Sequence, residues 1–451
     1  MKHKFLISRR GFLSTAGATG SLAALTSICG TNGTLLNTAN AAVRGQSIVW
    51  AGISDVSTDK AELPILSEII DNFDLVTEIN YGLGDALREI PEEEFKKQNL
   101  NLGFITNTED ENADFALVLA VLSEMTMQDT NRFDQQRNVT VDLKSVRLVC
   151  FAFLFNIETL SMVGCFPIRV FANSAAIDDR NKLSLKELYY TLLTKGGEDV
   201  VSGKNMTVGS YFTNKLINYP FAEKITGPRC RVENIEEGKK FIENCNLIKK
   251  DPEIIKKWFG YSATMIFGDI FKANTYPYVG NGRAFRADVA LNIGNSSRVL
   301  NTTPDNEPNF IIQPKILGWK IKKFDVEGDA EKITVRIESA IMISIFDKFA
   351  GNSDLIYKQL LIGAVEFGSF KSDDLSRDPY SYIATMHEKM LEACFVSIKD
   401  KDFRKQLIQG IKNNQDSNLA SKIRLSAKSG EKIKIAERQS DLVAAKFDFV
   451  K

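Results

Sequence analysis

Residues 139–151 read "VTVDLKSVRLVCF", and residues 333–346 read "ITVRIESAIMISIF", with apolar and polar positions falling in nearly the same order. At one offset Thr140 matches Thr334, Val141 matches Val335 and Ser145 matches Ser339; Phe171 matches Phe367 after a two-residue insertion. Ile333, Val335, Ile337, Ser339, Ile341, Ile343 and Ile345 alternate with Thr334, Arg336 and Glu338. That period of two is a strand with one buried face. Beyond residue 340 the second face turns apolar as well, through Ala340, Met342 and Phe346. A strand that starts half exposed and ends apolar on both sides predicts helices packed over its sheet.

Each copy sits in the same succession of elements. "DFALVLAVLSEMTM", "NVTVDLKSVRLVCFAFLF" and "LSMVGCFPIRVF" read as three strands, followed by the helix "SLKELYYTLL". Ser184 with Glu187 three residues on forms a capping box at its start. "FIIQPKILGWKIKKF", "KITVRIESAIMISIF" and "LIYKQLLIGAVEF" are followed by "DPYSYIATMHEKML", where Asp378 is placed to cap and Pro379 takes the first helical position. Self-similarity of this kind marks a duplicated architecture. The reading is therefore an α+β chain of two similar modules of antiparallel strands followed by a packing helix, joined by a helical segment. The first module spans 42–195, the helical connector 196–274 and the second module 275–410; residues 411–451 read as a polar, mildly basic tail. In the connector, "DPEIIKKWFGYSATMIFGDIF" has helical periodicity broken by Gly260 and Gly268. The tail carries nine basic against five acidic residues and no strong periodicity.

The first forty-one residues read as a signal peptide. Basic Lys2, His3 and Lys4 precede a weakly apolar run, and Ala39-Asn40-Ala41 supplies the small-x-small pattern of a signal peptidase site, so the mature chain is expected to begin near Ala42. Within this segment Ser8, Arg9, Arg10, Phe12 and Leu13, in "SRRGFL", resemble the twin-arginine export motif, with Ser14 where a lysine is usual. The resemblance implies folded export through the twin-arginine machinery, cleavage by signal peptidase and residence in the periplasm, either free or peripheral to a membrane. Folded export often serves a cofactor or partner loaded in the cytoplasm.

Few residues suit such a cofactor, and none is expected. The mature chain has one histidine, His387, which excludes a multi-histidine metal site and makes any Ser-His-Asp triad depend on that residue. It lies among Ile383, Met386, Met390 and Leu391 at helical spacing, so it reads as a helix residue satisfied within the fold. No CxxC pair occurs. With Ile157 and Glu158 at a hairpin tip, Cys150 would fall opposite Cys165, in reach of a disulfide. Cys230 and Cys245 flank a helix and form a second candidate pair. Small buried thiols are the preferred reading for a protein folded in a reducing compartment. "TEDENAD" (108–114) lacks the spacing of a calcium loop, and "YVGNGRAFR" lacks a dinucleotide-binding context.

The 451-residue chain has formal net charge zero; residues 42–451 carry 53 basic against 57 acidic side chains. That balance argues against nucleic acid as a partner. No mature segment is a long enough apolar run for a transmembrane helix. The element order is similar to that of periplasmic assembly and accessory proteins, such as the amino-terminal domain of the Tol translocation protein and the curli secretion-channel family. The likeness is of architecture and brings no functional residues with it. Three functions follow as expectations. The first is a non-catalytic periplasmic binding or assembly protein whose partner is an envelope protein or polymer. The second is a hydrolase using carboxylates alone, with two Asp or Glu facing each other in a cleft. The third is a subunit of an oligomeric outer-membrane pore built from hairpins 138–172 and 332–367.

Overall fold

The computed structural model describes residues 47–55, 63–89, 103–105, 114–134, 139–159, 161–176, 182–194, 208, 228–278, 288–293, 296–301, 308–348, 353–371, 379–413, 420–426 and 430–447. The export motif Ser8, Arg9, Arg10, Phe12 and Leu13 and the cleavage residues Ala39 and Ala41 lie outside them, as do residues 108–113 and 279–287.

The first module runs β1 (Ser47–Asp55), α1 (Leu66–Ile70), α2 (Phe73–Arg88), β2 (Gly103–Ile105), β3 (Phe115–Asp134), β4 (Val139–Asn156), β5 (Ser161–Ala176) and α3 (Leu185–Leu193). Its sheet has the order β2-β1-β3-β4-β5, with β1 parallel to both neighbours and β3, β4 and β5 antiparallel. The second runs β6 (Arg229–Val232), β7 (Glu236–Glu237), α4 (Phe241–Leu247), α5 (Pro252–Phe271) and β8 (Asn274–Tyr276), then the separate hairpin β9 (Asp288–Ile293) and β10 (Ser296–Asn301). It continues with β11 (Phe310–Val326), β12 (Asp329–Asp347), β13 (Asp354–Phe370), α6 (Pro379–Lys399), α7 (Lys401–Gln409), β14 (Ile411–Asn413), β15 (Ala420–Leu425) and α8 (Gly430–Phe447). Here the sheet order is β14-β15-β13-β12-β11-β6-β8, and β6 is parallel to β8 and β11.

The two sheets are one topology written twice. Phe104, Ile48, Phe115, Asn156 and Ser161 are register partners across the first. Thr275, Cys230, Phe310, Asp347 and Asp354 are partners in the same order across the second. Seven residues beyond Phe115, Leu122 is bulged out of the β3–β4 ladder; seven beyond Phe310, Leu317 is bulged out of β11–β12. A bulge is a specific feature that must be kept to preserve register. Its recurrence in the same row is stronger evidence of duplication than residue identity.

That register corrects the sequence match. Asn156 corresponds to Asp347, so Ile333 corresponds to Asp142 and not to Val139. An odd shift of three moves every side chain to the opposite face. Ser339 is buried under helix α6 and corresponds to Leu148, whereas Ser145, its apparent match, points to the other side of its own sheet. Phe171 likewise corresponds to Ala364 and not to Phe367. The matching residues are coincidence; the matching topology is not.

The helices expected between the modules are present as α4 and α5, and β6, β7 and β8 tie them into the second sheet. β6 is four residues, "RCRV", too short and too charged to announce itself. The expected tail is also structured: β14 and β15 extend the second sheet, and α8 buries Ala436, Ser440, Val443 and Phe447. The Phe447 ring lies 4.7 Å from Phe310 and 5.0 Å from Phe271. Two of the four seam residues are Ala and Ser, which hides the helical stripe from a reading based on large apolar side chains.

The modules stack. In the first, α1, α2 and α3 cover the face carrying Leu148, Cys150, Ala152 and Leu154. The opposite face, with Val149, Phe151, Phe153 and Phe155, shares a core with α5, α6 and the isoleucine face of β12. The layers therefore alternate helix, sheet, helix, sheet. Gly268 of α5 permits the contact, because a Cβ there would lie 2.9 Å from Pro167 Cγ of β5 and 2.7 Å from Thr275 Oγ1. The outer face of the second sheet has no described layer over it: Ala340, Met342 and Phe346, which the sequence placed under a helix, are only half-buried. The helices α6 and α8 both lie on the isoleucine side.

Candidate functional site

Two places concentrate chemistry. One is a polar node where the modules meet, assembled by β4, α5 and α6. Arg147 reaches out of the apolar face of the first sheet and donates from Nη1 to Glu388 Oε2 at 2.7 Å and from Nη2 to Thr385 Oγ1 at 3.2 Å. Ser262 Oγ donates to Glu388 Oε1 at 3.2 Å. A pair of this kind depends on hydrogen bonds to its remaining donors and acceptors; Thr385 and Ser262 supply two of these, while Arg147 Nε is buried without a hydrogen-bond partner among the described residues. Its chemistry is that of a clamp: both carboxylate oxygens are taken and neither is free for a reacting group.

His387, next along α6, is the one histidine beyond residue 41. It is buried, its Nε2 lies 2.9 Å from Ser339 Oγ, and the Phe259 ring stands edge-on at 5.2 Å. Ser339 also donates to the Gly318 carbonyl at 3.1 Å, so its proton is used there and the hydroxyl oxygen accepts from the imidazole. Burial pushes the His387 pKa down to about 3, because no compensating carboxylate offsets the loss of hydration. It is a neutral packing residue, as its helical spacing indicated.

The five described cysteines, Cys150, Cys165, Cys230, Cys245 and Cys394, are buried and form no disulfide. The hairpin count failed because the turn is longer than a two-residue tip and a bulge follows Leu154; Asn156 pairs with Ser161, Cys150 with Ile168 and Cys165 with Phe153. Cys150 thus faces α1–α3, while Cys165 faces the second module and donates to the Thr275 carbonyl at 3.3 Å. Opposite faces of a sheet cannot be bridged. Cys230 on β6 and Cys245 on α4 are likewise not joined by a disulfide. Burial pushes the Cys245 thiol up to about 11 and Cys394 up to about 12, which removes thiolate character.

Glu124 is the acid whose pKa burial raises most directly, yet its oxygens accept Ile65 N–H at 2.9 Å and Leu66 N–H at 2.8 Å. It caps the start of α1. Among the described residues no group of three or more His, Cys, Asp or Glu is placed to hold a metal ion. No described helix is long and apolar enough to cross a membrane.

The second place is the outer face of the second sheet. Lys315, Lys320, Lys322, Arg336, Lys358 and Arg424 project from it by register. Glu236, Glu338 and Glu366 offset part of that charge, in pairs such as Lys315–Glu236 at 2.8 Å and Arg336–Glu366 at 3.0 Å. Between the charges runs an apolar strip of Ala340, Met342, Leu360 and Ile362, half-buried by its neighbours, with Phe324 at 49% and Leu355 at 47% exposure at its ends. Sequence reasoning missed this face because the run of apolar residues after 340 suggests cover.

No family model matches the chain, and no curated protein does. Two solved structures show a distant likeness. One is described as the hypothetical protein CT253 from Chlamydia trachomatis, with 11% identity, TM-score 0.21, 38% of this chain and 94% of that one. The other is a minor lipoprotein from Acinetobacter baumannii, with 9% identity, TM-score 0.18, 40% of this chain and 92% of that one.

Proposed function

We propose that the chain is an exported, non-catalytic binding or assembly protein of the bacterial cell envelope. The observation that carries this reading is the contrast between Glu124, Glu388 and His387, engaged inside as a cap, a clamp and a packing residue, and an outer sheet face that presents apolar and basic groups together. Exposed apolar strips rimmed by charge are typical of interaction surfaces. The hydrolase reading would require a pair of acids aimed into a cleft, and Glu124 and Glu388 are each engaged as a cap and a clamp. The pore reading would require hairpin 138–172 to face lipid, whereas its described residues Leu148, Cys150 and Leu154 on one face and Val149, Phe151 and Phe153 on the other pack on protein. The twin-arginine motif and the Ala39–Ala41 pattern support the compartment.

The test combines export and contact in the producing cell. The chain is expected in the periplasmic fraction, processed near Ala42, and retained in the cytoplasm when Arg9→Lys and Arg10→Lys are introduced together. A photo-crosslinking residue at Met342 should give discrete adducts that the same residue at Leu247, exposed on α4, does not. An unprocessed cytoplasmic chain, or equal crosslinking at both positions, contradicts the proposal.

A further inference from the structure

We propose that the outer face of the second sheet binds the α1–α2 helical face of a second copy of this chain, so that copies associate head to tail. The proposal rests on that face being a binding surface, and it names the occupant.

The chain itself shows what covers such a face. The corresponding face of the first sheet is covered by the helices of the following module, and the contact places a cation on the sheet, Arg147, against an anion on the helix, Glu388, at 2.7 Å. Repeating that step once more requires a helical layer with acidic groups on its outer side. The molecule has one at its opposite end. Asp74, Glu78, Tyr81 and Asp85 fall at i, i+4, i+7 and i+11 on α2, away from Ile79, Leu83 and Leu87, which are buried. All four are exposed. From Leu63 to Glu89 the chain carries six acids, Glu68, Asp71, Asp74, Glu78, Asp85 and Glu89, against Arg88 alone. Phe73 at 47% and Tyr81 at 56% exposure give this face apolar area, as Phe324 and Leu355 give the sheet.

The two surfaces are therefore complementary in sign, mixed in polarity and located at the two ends of the layer stack. A contact between different patches of identical chains is heterologous and can propagate. The sheet face of the first module is largely apolar around Arg147, whereas that of the second carries more charge. The intermolecular contact is accordingly expected to be reversible and salt-sensitive, while the internal one is permanent.

Sedimentation of the full wild-type chain is measured first, at low salt over a range of concentrations. The proposal requires a weight-average mass that rises with concentration past the monomer and falls back when salt is added. Two variants then fix the geometry, each checked for an unchanged far-UV spectrum and melting temperature: Lys320→Glu with Lys358→Glu on the sheet, and Asp74→Lys with Asp85→Lys on α2. Each alone should be monomeric, and a mixture of the two should associate, because one supplies native helices and the other a native sheet. A wild-type chain that stays monomeric at every concentration overturns the proposal. So does either variant associating alone as wild type does, which would mean a face pairing with itself. A monomeric chain whose position 342 still crosslinks to a different envelope molecule would overturn self-association and leave the proposed function standing.

Discussion

Strands β4 and β12 hold the same place in two copies of one topology, and their burial differs. In β4, Leu148, Cys150, Ala152 and Leu154 lie under the helices of their own module while Val149, Phe151, Phe153 and Phe155 lie under those of the next. In β12, Ile341, Ile343 and Ile345 are fully buried, whereas Met342 and Phe346, on the other side, are half-buried. Phe151 and Met342 are equivalent positions, one at the centre of a module interface and one on an outer surface. The chain thus has two frames of like strand order, and stacking one on the other used up the open face of only the first.

The largest effect should separate these two positions. Phe151→Ala removes a wholly buried ring from the interface and should cost about 3–5 kcal/mol in urea unfolding. Met342→Ala on the uncovered face should cost about 1 kcal/mol or less. Equal costs would mean that both faces are covered.

The clamp comes next. Glu388→Ala leaves the largely buried Arg147 guanidinium without its counter-charge and should destabilise the chain by about 3 kcal/mol. The equivalent of Arg147 in the second module is Glu338, whose partners Lys322 and Arg336 stand on the outer face. Glu338→Ala should cost below about 1 kcal/mol, and a double-mutant cycle between Arg147 and Glu388 should show the coupling that a cycle between Lys322 and Glu338 lacks.

His387 sharpens the comparison through pH. Its folded pKa of about 3 is below the unfolded value of 6.5, so the unfolded chain binds the extra proton. The stability it contributes is complete above pH 6.5 and is lost as pH falls toward 3, at up to about 1.4 kcal/mol per pH unit. His387→Gln should flatten that part of the stability profile; an unchanged slope would show that the imidazole is hydrated.

The smallest effect concerns the thiols. Because Cys150 and Cys165 lie on opposite faces of the first sheet, reductant should leave the unfolding midpoint unchanged, and thiol titration in denaturant should count every cysteine as free.

Much of this architecture was legible in the chain. The alternation in β12, the Ser184–Glu187 capping box and Pro379 at the head of α6 each specify local structure, and the structure has them where the sequence put them: Ser184 N–H donates to Glu187 Oε2 at 2.6 Å and Glu187 N–H to Ser184 Oγ at 3.2 Å. What was illegible depended on distant partners. β6 becomes a strand because β8 and β11 flank it, and α8 finds its place because Phe447 fits among Phe267, Phe271 and Phe310. The bulges at Leu122 and Leu317 leave no residue signature, yet they set the register that shows which residues correspond. The candidate surface was hidden for the same reason: Ala340, Met342 and Phe346 look like core until the side on which α6 packs is known. The histidine could be named from sequence, whereas Glu124 and Glu388 could not; their neighbours show the three to be a packing residue, a cap and a clamp.

Hydroxyl-radical footprinting of the full chain, dilute and at high salt so that copies do not associate, tests the central claim most directly. Modification at Met342, Leu360 and Phe324, with protection of the equivalent Phe151 and of Phe153 and Phe155, is the result expected of two like sheets covered on two faces and on one. Protection at both Met342 and Phe151, or modification of Phe151, would contradict it.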